Sequence, residues 1–177
     1  DQICNWVIAP AQISHALENW ANNIICTLLT ELNYIGVIAI EFFYGSEGLL
    51  VNEIAPRTHN SGHYSIEACN SSQFDQQVCI SAQLDVPNPS MKVPGAVMVN
   101  LLGLPDQGFL SLEERMNRIN QLEGAHLHWY GKEAELPGRK LGHVTFLLYS
   151  TDPKEMRREA EKILNTIRSI WPIHSPK

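Results

Sequence analysis

Within the stretch VNEIAPRTHNSGHYS (51–65), the side chains of Glu53, Arg57, His59, Asn60, Ser61 and His63 crowd into eleven positions. Just upstream, Glu41 sits in the apolar run VIAIEFFY (37–44), and Asn52 stands directly before Glu53. The turn residues GSEG (45–48) separate the two runs, so they read as hairpin strands. A loop of about four or five residues would bring position 41 opposite positions 52 and 53. Like charges opposed across a hairpin are destabilising, and a bound cation removes that penalty. Mg²⁺ takes one or two carboxylates and completes its octahedron with waters and phosphate oxygens. Two readings follow: Glu41 and Glu53 share a cation, or one of them points to solvent from an exposed sheet face. Asn52 would face the other side of the strand unless the ladder bends there.

Behind the second strand, Arg57 follows Pro56 and can project from a loop, where its planar fork of donors suits an anionic oxygen pair. Asn60 and Ser61 add neutral donors, and Gly62 permits a close backbone approach. His59 and His63 are placed to contact phosphate or to move protons near neutral pH. Any one of these is compatible with an ordinary turn, but turn geometry does not demand an arginine, two histidines and an asparagine together. A weaker pair of cations, Lys132 and Arg139, brackets a loop containing Pro137 and Gly138. Such a pair can clamp a phosphate monoester, or it can be a solvated basic turn with Lys140 beside it.

The elements that must hold these residues alternate between strand and helix. A short strand (5–11) precedes a helix over 15–34 capped by Ser14, with Leu17, Trp20, Ile24, Leu28 and Leu32 at helical spacing. Residues 63–84 predict one helix with Ile66, Cys69, Phe74, Val78 and Ile80 facing inward. The Pro-marked stretch DVPNPSMKVPG (85–95) holds a domain boundary, giving domains 1–90 and 91–177. Strands at 96–103, 125–131 and 140–150 then alternate with helices at 111–124 and 152–170, the first with a Ser111–Glu114 capping-box spacing. The class is α+β.

Composition narrows the function classes. The chain has 177 residues, 44% of them apolar and 18% charged, as in soluble globular proteins. A net charge of −6 argues against nucleic-acid binding, and no run approaches the length of a membrane span. Cys4, Cys26, Cys69 and Cys79 show no metal-finger spacing and suit a reducing, cytoplasmic setting. The opening DQICNWVIAP has neither an initiator Met nor a signal-like core, and it reads as a chain entered midway.

The segments GVIAIEFF, VNEIAPRTHNSGHYSIEAC, SSQFDQQV, AVMVNLLG, LHWYGKE and PGRKLGHV together resemble the C-terminal half of the 5-(carboxyamino)imidazole ribonucleotide synthetases, ATP-grasp ligases of purine biosynthesis. The resemblance implies the end of an ATP-grasp domain followed by a small, β-rich α+β C-terminal domain. It implies a reaction in which ATP phosphorylates bicarbonate and the carboxyl group passes to the exocyclic amine of aminoimidazole ribonucleotide. It places Mg²⁺ on Glu41 and Glu53, ATP on Asn52 and Glu53, and the carboxylation chemistry on Arg57, His59, Asn60 and His63. Substrate contacts fall on Arg57, Ser61, Lys132 and Arg139, the last two holding the ribonucleotide phosphate. The family's nucleotide clamp and adenine-reading segment precede this region, so the chain is expected to be inactive without an N-terminal half. The alternatives are a non-catalytic binding module that keeps the fold and one subunit of a split ligase. A homodimer is the expected assembly.

Overall fold

The computed structural model describes residues 3–104 and 110–173. Ala11–Ser90 form one unit, and the residues up to Pro10 together with those from Met91 onward form the other.

In the first unit, Ser14 ends an extended segment and its side chain accepts from the Leu17 N–H, starting α1 (His15–Glu31). Leu17, Ile24 and Leu28 are half-buried, whereas Trp20 and Leu32 stay exposed. The two apolar runs form an antiparallel hairpin of β2 (Ala39–Gly45) and β3 (Gly48–Ala55); β1 belongs to the other unit and is given below. Its loop is two residues, Ser46 and Glu47, shorter than expected, because Gly45 pairs with Gly48. Gly48 has φ +84° and lies under the Trp20 ring, where a Cβ would come within 2.6 Å of a ring carbon.

The single helix expected over 63–84 is broken in two. A 3-10 turn at Asn60–Gly62 leads into one helical turn, α2 (Ser65–Ala68), and then into α3 (Gln73–Ser81). α2 ends where Cys69 turns extended, and Ser72 starts α3, because its hydroxyl accepts from the Asp75 N–H while the Asp75 carboxylate accepts from the Ser72 N–H. Phe74 and Val78, expected inside, are exposed.

The second unit is a four-stranded antiparallel sheet in the order β1-β4-β6-β5. Its strands are β1 (Trp6–Ala9), β4 (Gly95–Leu102), β5 (His126–Trp129) and β6 (Lys140–Leu148). Every residue of β4 is buried, as its unbroken apolar reading suggests for a strand inside a sheet. α4 (Leu112–Asn120) and α5 (Pro153–Ile170) complete the unit. Val97, Val99, Leu101, Ile119, Leu141, Ile167 and Trp171 lie in the shared core. The Ser111–Glu114 capping box forms as spaced, and Asp152 caps α5 through the Lys154 and Glu155 N–H groups. Arg168 donates to the Asn5, Asn100 and Trp171 carbonyls, and burial pulls its guanidinium down to about 10, still charged at neutral pH. No helix among the described residues is long and apolar enough to cross a membrane.

Candidate functional site

From Gly45↔Gly48 to Phe42↔Val51 the hairpin keeps one register, and then it shifts, so that Glu41 pairs with Glu53. Asn52 is the extra residue of a β-bulge. Had the register run on, Asn52 would stand opposite Glu41. The bulge instead sets the two carboxylates face to face and turns the Asn52 amide back to donate to Glu41 Oε2 at 2.9 Å.

The loop behind β3 brings a third group. His59 Nε2 lies 3.7 Å from Glu41 Oε1 and 3.8 Å from Glu53 Oε1, and one ligand atom from each of the three residues falls within 4.8 Å of the others. His59 is buried, whereas the two glutamates are partly open to solvent. Its Nδ1 accepts from the Ser61 N–H at 3.4 Å and meets Ser61 Oγ at 2.8 Å. An accepting Nδ1 leaves the ring proton on Nε2, where it faces both carboxylates. The donor set therefore fits a hard cation on the carboxylate oxygens, with the Asn52 amide oriented by Glu41. His59 can add a nitrogen ligand only after its proton moves to Nδ1, where Ser61 Oγ can accept it.

The polar loop is held from α3. Gln73 Oε1 accepts from the His59 N–H and Gln73 Nε2 donates to the His59 carbonyl, each at 2.8 Å. Gln73 Nε2 also lies 2.8 Å from His63 Nδ1, and the His63 ring packs against Phe74 at 5.4 Å. Ser65 Oγ accepts from the Gln73 N–H at 3.0 Å and donates to the Gly62 carbonyl at 2.6 Å. Gly62 is needed at this approach, since a Cβ there would stand 2.8 Å from Gln73 Oε1. Asn60 is buried and Ser61 half-buried beside His59. Arg57 is exposed and its guanidinium donates to the Thr58 carbonyl at 2.9 Å. Bonds from the Ser72 backbone and hydroxyl hold the Asp75 carboxyl below its usual range, and burial pushes the Tyr64 phenol up.

Lys132 and Arg139 lie in the other unit, at the two ends of one loop. Lys132 Nζ donates to the Lys140 carbonyl at 2.7 Å, and Arg139 donates to the Ala134 carbonyl at 3.3 Å. The loop rests on Gly103: Gly103 N–H donates to the Arg139 carbonyl and Gly138 N–H to the Gly103 carbonyl. A Cβ on Gly103 would lie 2.0 Å from the Leu136 oxygen.

The structure thus brings Glu41, Asn52, Glu53 and His59 together, with Ser61 and His63 tied to the same loop. Gln73 is the residue that spacing did not single out. Its signal was present in Ser72 and Asp75, whose capping spacing makes Gln73 the first residue of a helix.

Comparison with known proteins adds two family matches. A family model of the ATP-grasp domain matches residues 1–74, and one of the phosphoribosylaminoimidazole carboxylase C-terminal domain matches residues 96–158. A protein of Synechococcus elongatus described as N5-carboxyaminoimidazole ribonucleotide synthase is 45% identical over 97% of this chain, which spans 43% of that relative's length. The crystal structure of carboxyaminoimidazole ribonucleotide synthase from Aspergillus clavatus complexed with ATP superposes with a TM-score of 0.82 at 29% identity, covering 97% of this chain and 44% of that one. The Aspergillus clavatus protein in complex with ADP and 5-aminoimidazole ribonucleotide gives a TM-score of 0.81 at 29% identity, covering 96% of this chain and 44% of that one.

Proposed function

Because the chain belongs to the N5-carboxyaminoimidazole ribonucleotide synthase family of ATP-grasp ligases, we propose that it is the metal- and phosphate-holding part of an ATP- and bicarbonate-dependent ligase that carboxylates aminoimidazole ribonucleotide. What carries this reading is the bulged hairpin, which spends a register shift on facing Glu53 to Glu41. Two opposed acids inside an apolar hairpin make physical sense when a cation sits between them. Glu41 and Glu53 would hold Mg²⁺, with Asn52 beside them on the ATP side; the bound ion neutralises phosphate charge during transfer.

The remaining roles follow from chemistry. The exposed Arg57 guanidinium releases its single carbonyl contact and takes the oxygens of the transferred group. Asn60 and Ser61 are neutral donors on the same loop, and His59 and His63 offer ring nitrogens to the carboxylation centre. Lys132 and Arg139 trade backbone carbonyls for the phosphate of aminoimidazole ribonucleotide. Support for that substrate comes from the Aspergillus clavatus relative bound to ADP and 5-aminoimidazole ribonucleotide.

The chain spans less than half of its relatives' length, so the proposal includes an N-terminal half that completes the nucleotide site. A homo-oligomer is part of the same reading. The groove of roughly 520 Å³ lined by Trp20, Ile24, Leu28, Ile40, Val51 and Ile54 is an apolar face of the kind that seeks a partner, and the N-terminal half in this proposal would be one such partner. A cytoplasmic setting is part of the same proposal.

The experiment is bicarbonate-dependent ADP release with aminoimidazole ribonucleotide, by the chain alone and with the N-terminal half of the Synechococcus relative supplied. Turnover only in the mixture is the expected result. A folded, associated mixture with no carboxylated product would overturn the ligase reading in favour of a non-catalytic module, and turnover by the chain alone would overturn the need for a second half.

A further inference from the structure

The Gln73 side chain can be oriented without ambiguity. A backbone N–H only donates and a carbonyl only accepts, and both groups of His59 meet the Gln73 amide at 2.8 Å. Turning the amide over would set NH₂ against N–H and oxygen against oxygen, so the usual ambiguity of amide oxygen and nitrogen does not arise. Gln73 Nε2 has two hydrogens. One goes to the His59 carbonyl, and the other points at His63 Nδ1, 2.8 Å away.

An N–H aimed at an imidazole nitrogen needs a lone pair there. His63 Nδ1 must then be bare, and the ring proton must sit on Nε2. We propose that Gln73 is a positioning residue that reads the fixed polarity of the His59 backbone and imposes the Nε2–H tautomer on His63. His63 thereby presents a hydrogen-bond donor at Nε2 rather than a base. The use of that donor rests on the ligase reading, where it would meet an oxygen of the carboxyl or phosphoryl group; the tautomer itself does not.

The rest of the loop keeps Gln73 from drifting. Its own N–H is held by Ser65 Oγ, the Ser72–Asp75 capping box fixes the first turn of α3, and Phe74 packs against the His63 ring. Gly62 leaves room for the amide oxygen.

The test is a two-bond ¹⁵N–¹H correlation spectrum of the full chain at about pH 8, where ordinary imidazoles are neutral. His63→Asn identifies the His63 signals. The expected pattern is a protonated Nε2 and a bare Nδ1 in the wild-type chain. In Gln73→Glu the carboxylate accepts where the amide donated, and the His63 proton should move to Nδ1. A wild-type His63 protonated at Nδ1, or exchanging evenly between the two forms, would overturn the proposal whether or not Gln73→Glu folds. A folded Gln73→Glu chain that kept the Nε2–H form would overturn Gln73's part in it. Neither result depends on turnover, so a failed ligase assay leaves this measurement to be judged by itself.

Discussion

Replacing Glu53 by Gln should reverse sign with the divalent ion. Without metal, the carboxylates of Glu41 and Glu53 offer oxygens within 4.8 Å of each other. At that separation two unit charges repel by ~0.9 kcal/mol in bulk water and by about 3.5 kcal/mol at an effective dielectric of 20. Both side chains are partly solvated, and the Asn52 amide and the His59 ring at Nε2 already offset some of the repulsion. The lower figure is therefore the relevant one, in keeping with the ~1 kcal/mol ceiling of cross-strand pairs. In EDTA, Glu53→Gln is expected to be more stable than the wild type by roughly 0.5–1 kcal/mol. At Mg²⁺ a hundredfold above its dissociation constant, the wild type gains about 2.7 kcal/mol and the variant almost nothing, so the order inverts. Urea unfolding followed by tryptophan fluorescence reads this out, because Trp20 packs over Gly48 at the hairpin turn. Ionic screening relieves the repulsion in the wild type alone, so it can close the gap but cannot carry the wild type past the variant. Equal Mg²⁺ stabilisation of the two chains, or a variant less stable in EDTA, would refute the shared-cation argument.

Gly62→Ala places a methyl 2.8 Å from Gln73 Oε1 and should cost about 1–3 kcal/mol in urea unfolding, by forcing a pinned amide aside. Ser72→Ala removes the cap of α3 and should cost ~1 kcal/mol at pH 7. The same cap holds the Asp75 carboxyl below its unfolded value, and Ser111 does so for Glu114. A depressed carboxyl stabilises the fold above its unfolded value and loses that contribution as pH falls through the folded one. The gap between wild type and Ser72→Ala should therefore narrow below about pH 4 in matched urea titrations. Lys132→Gln and Arg139→Gln should each raise the KM for aminoimidazole ribonucleotide roughly tenfold in the complemented assay while leaving the KM for ATP unchanged. A change in the ATP term alone would move those residues to a different role.

Local signals in this chain were read well because they act within one helical turn. The Ser111–Glu114 box and the Ser14 cap each need only the next three or four residues, and each forms. The strands on either side of GSEG were legible for a similar reason, since β-rich runs ended by turn residues have few other options. The helix over 63–84 was misjudged because its apolar spacing continues through residues 69–72, where Cys69 turns extended and the Ser72–Asp75 box begins a new helix. Phe74 and Val78 consequently face outward.

Residue type and order alone placed acids and an amide on two runs joined by a turn, with an arginine and two histidines on the loop behind them, and left open which of these meet. The decision that Glu53, and not Asn52, faces Glu41 came only with the tertiary structure, through a single bulged residue. Side-chain direction in a strand has period two, so a one-residue shift exchanges the two faces, and no pattern along the chain records where that shift occurs. The pairing of β1 with β4 and the grip of Gln73 on His59 are of the same kind. Both join groups far apart in sequence, and packing chooses such partners after the local elements exist.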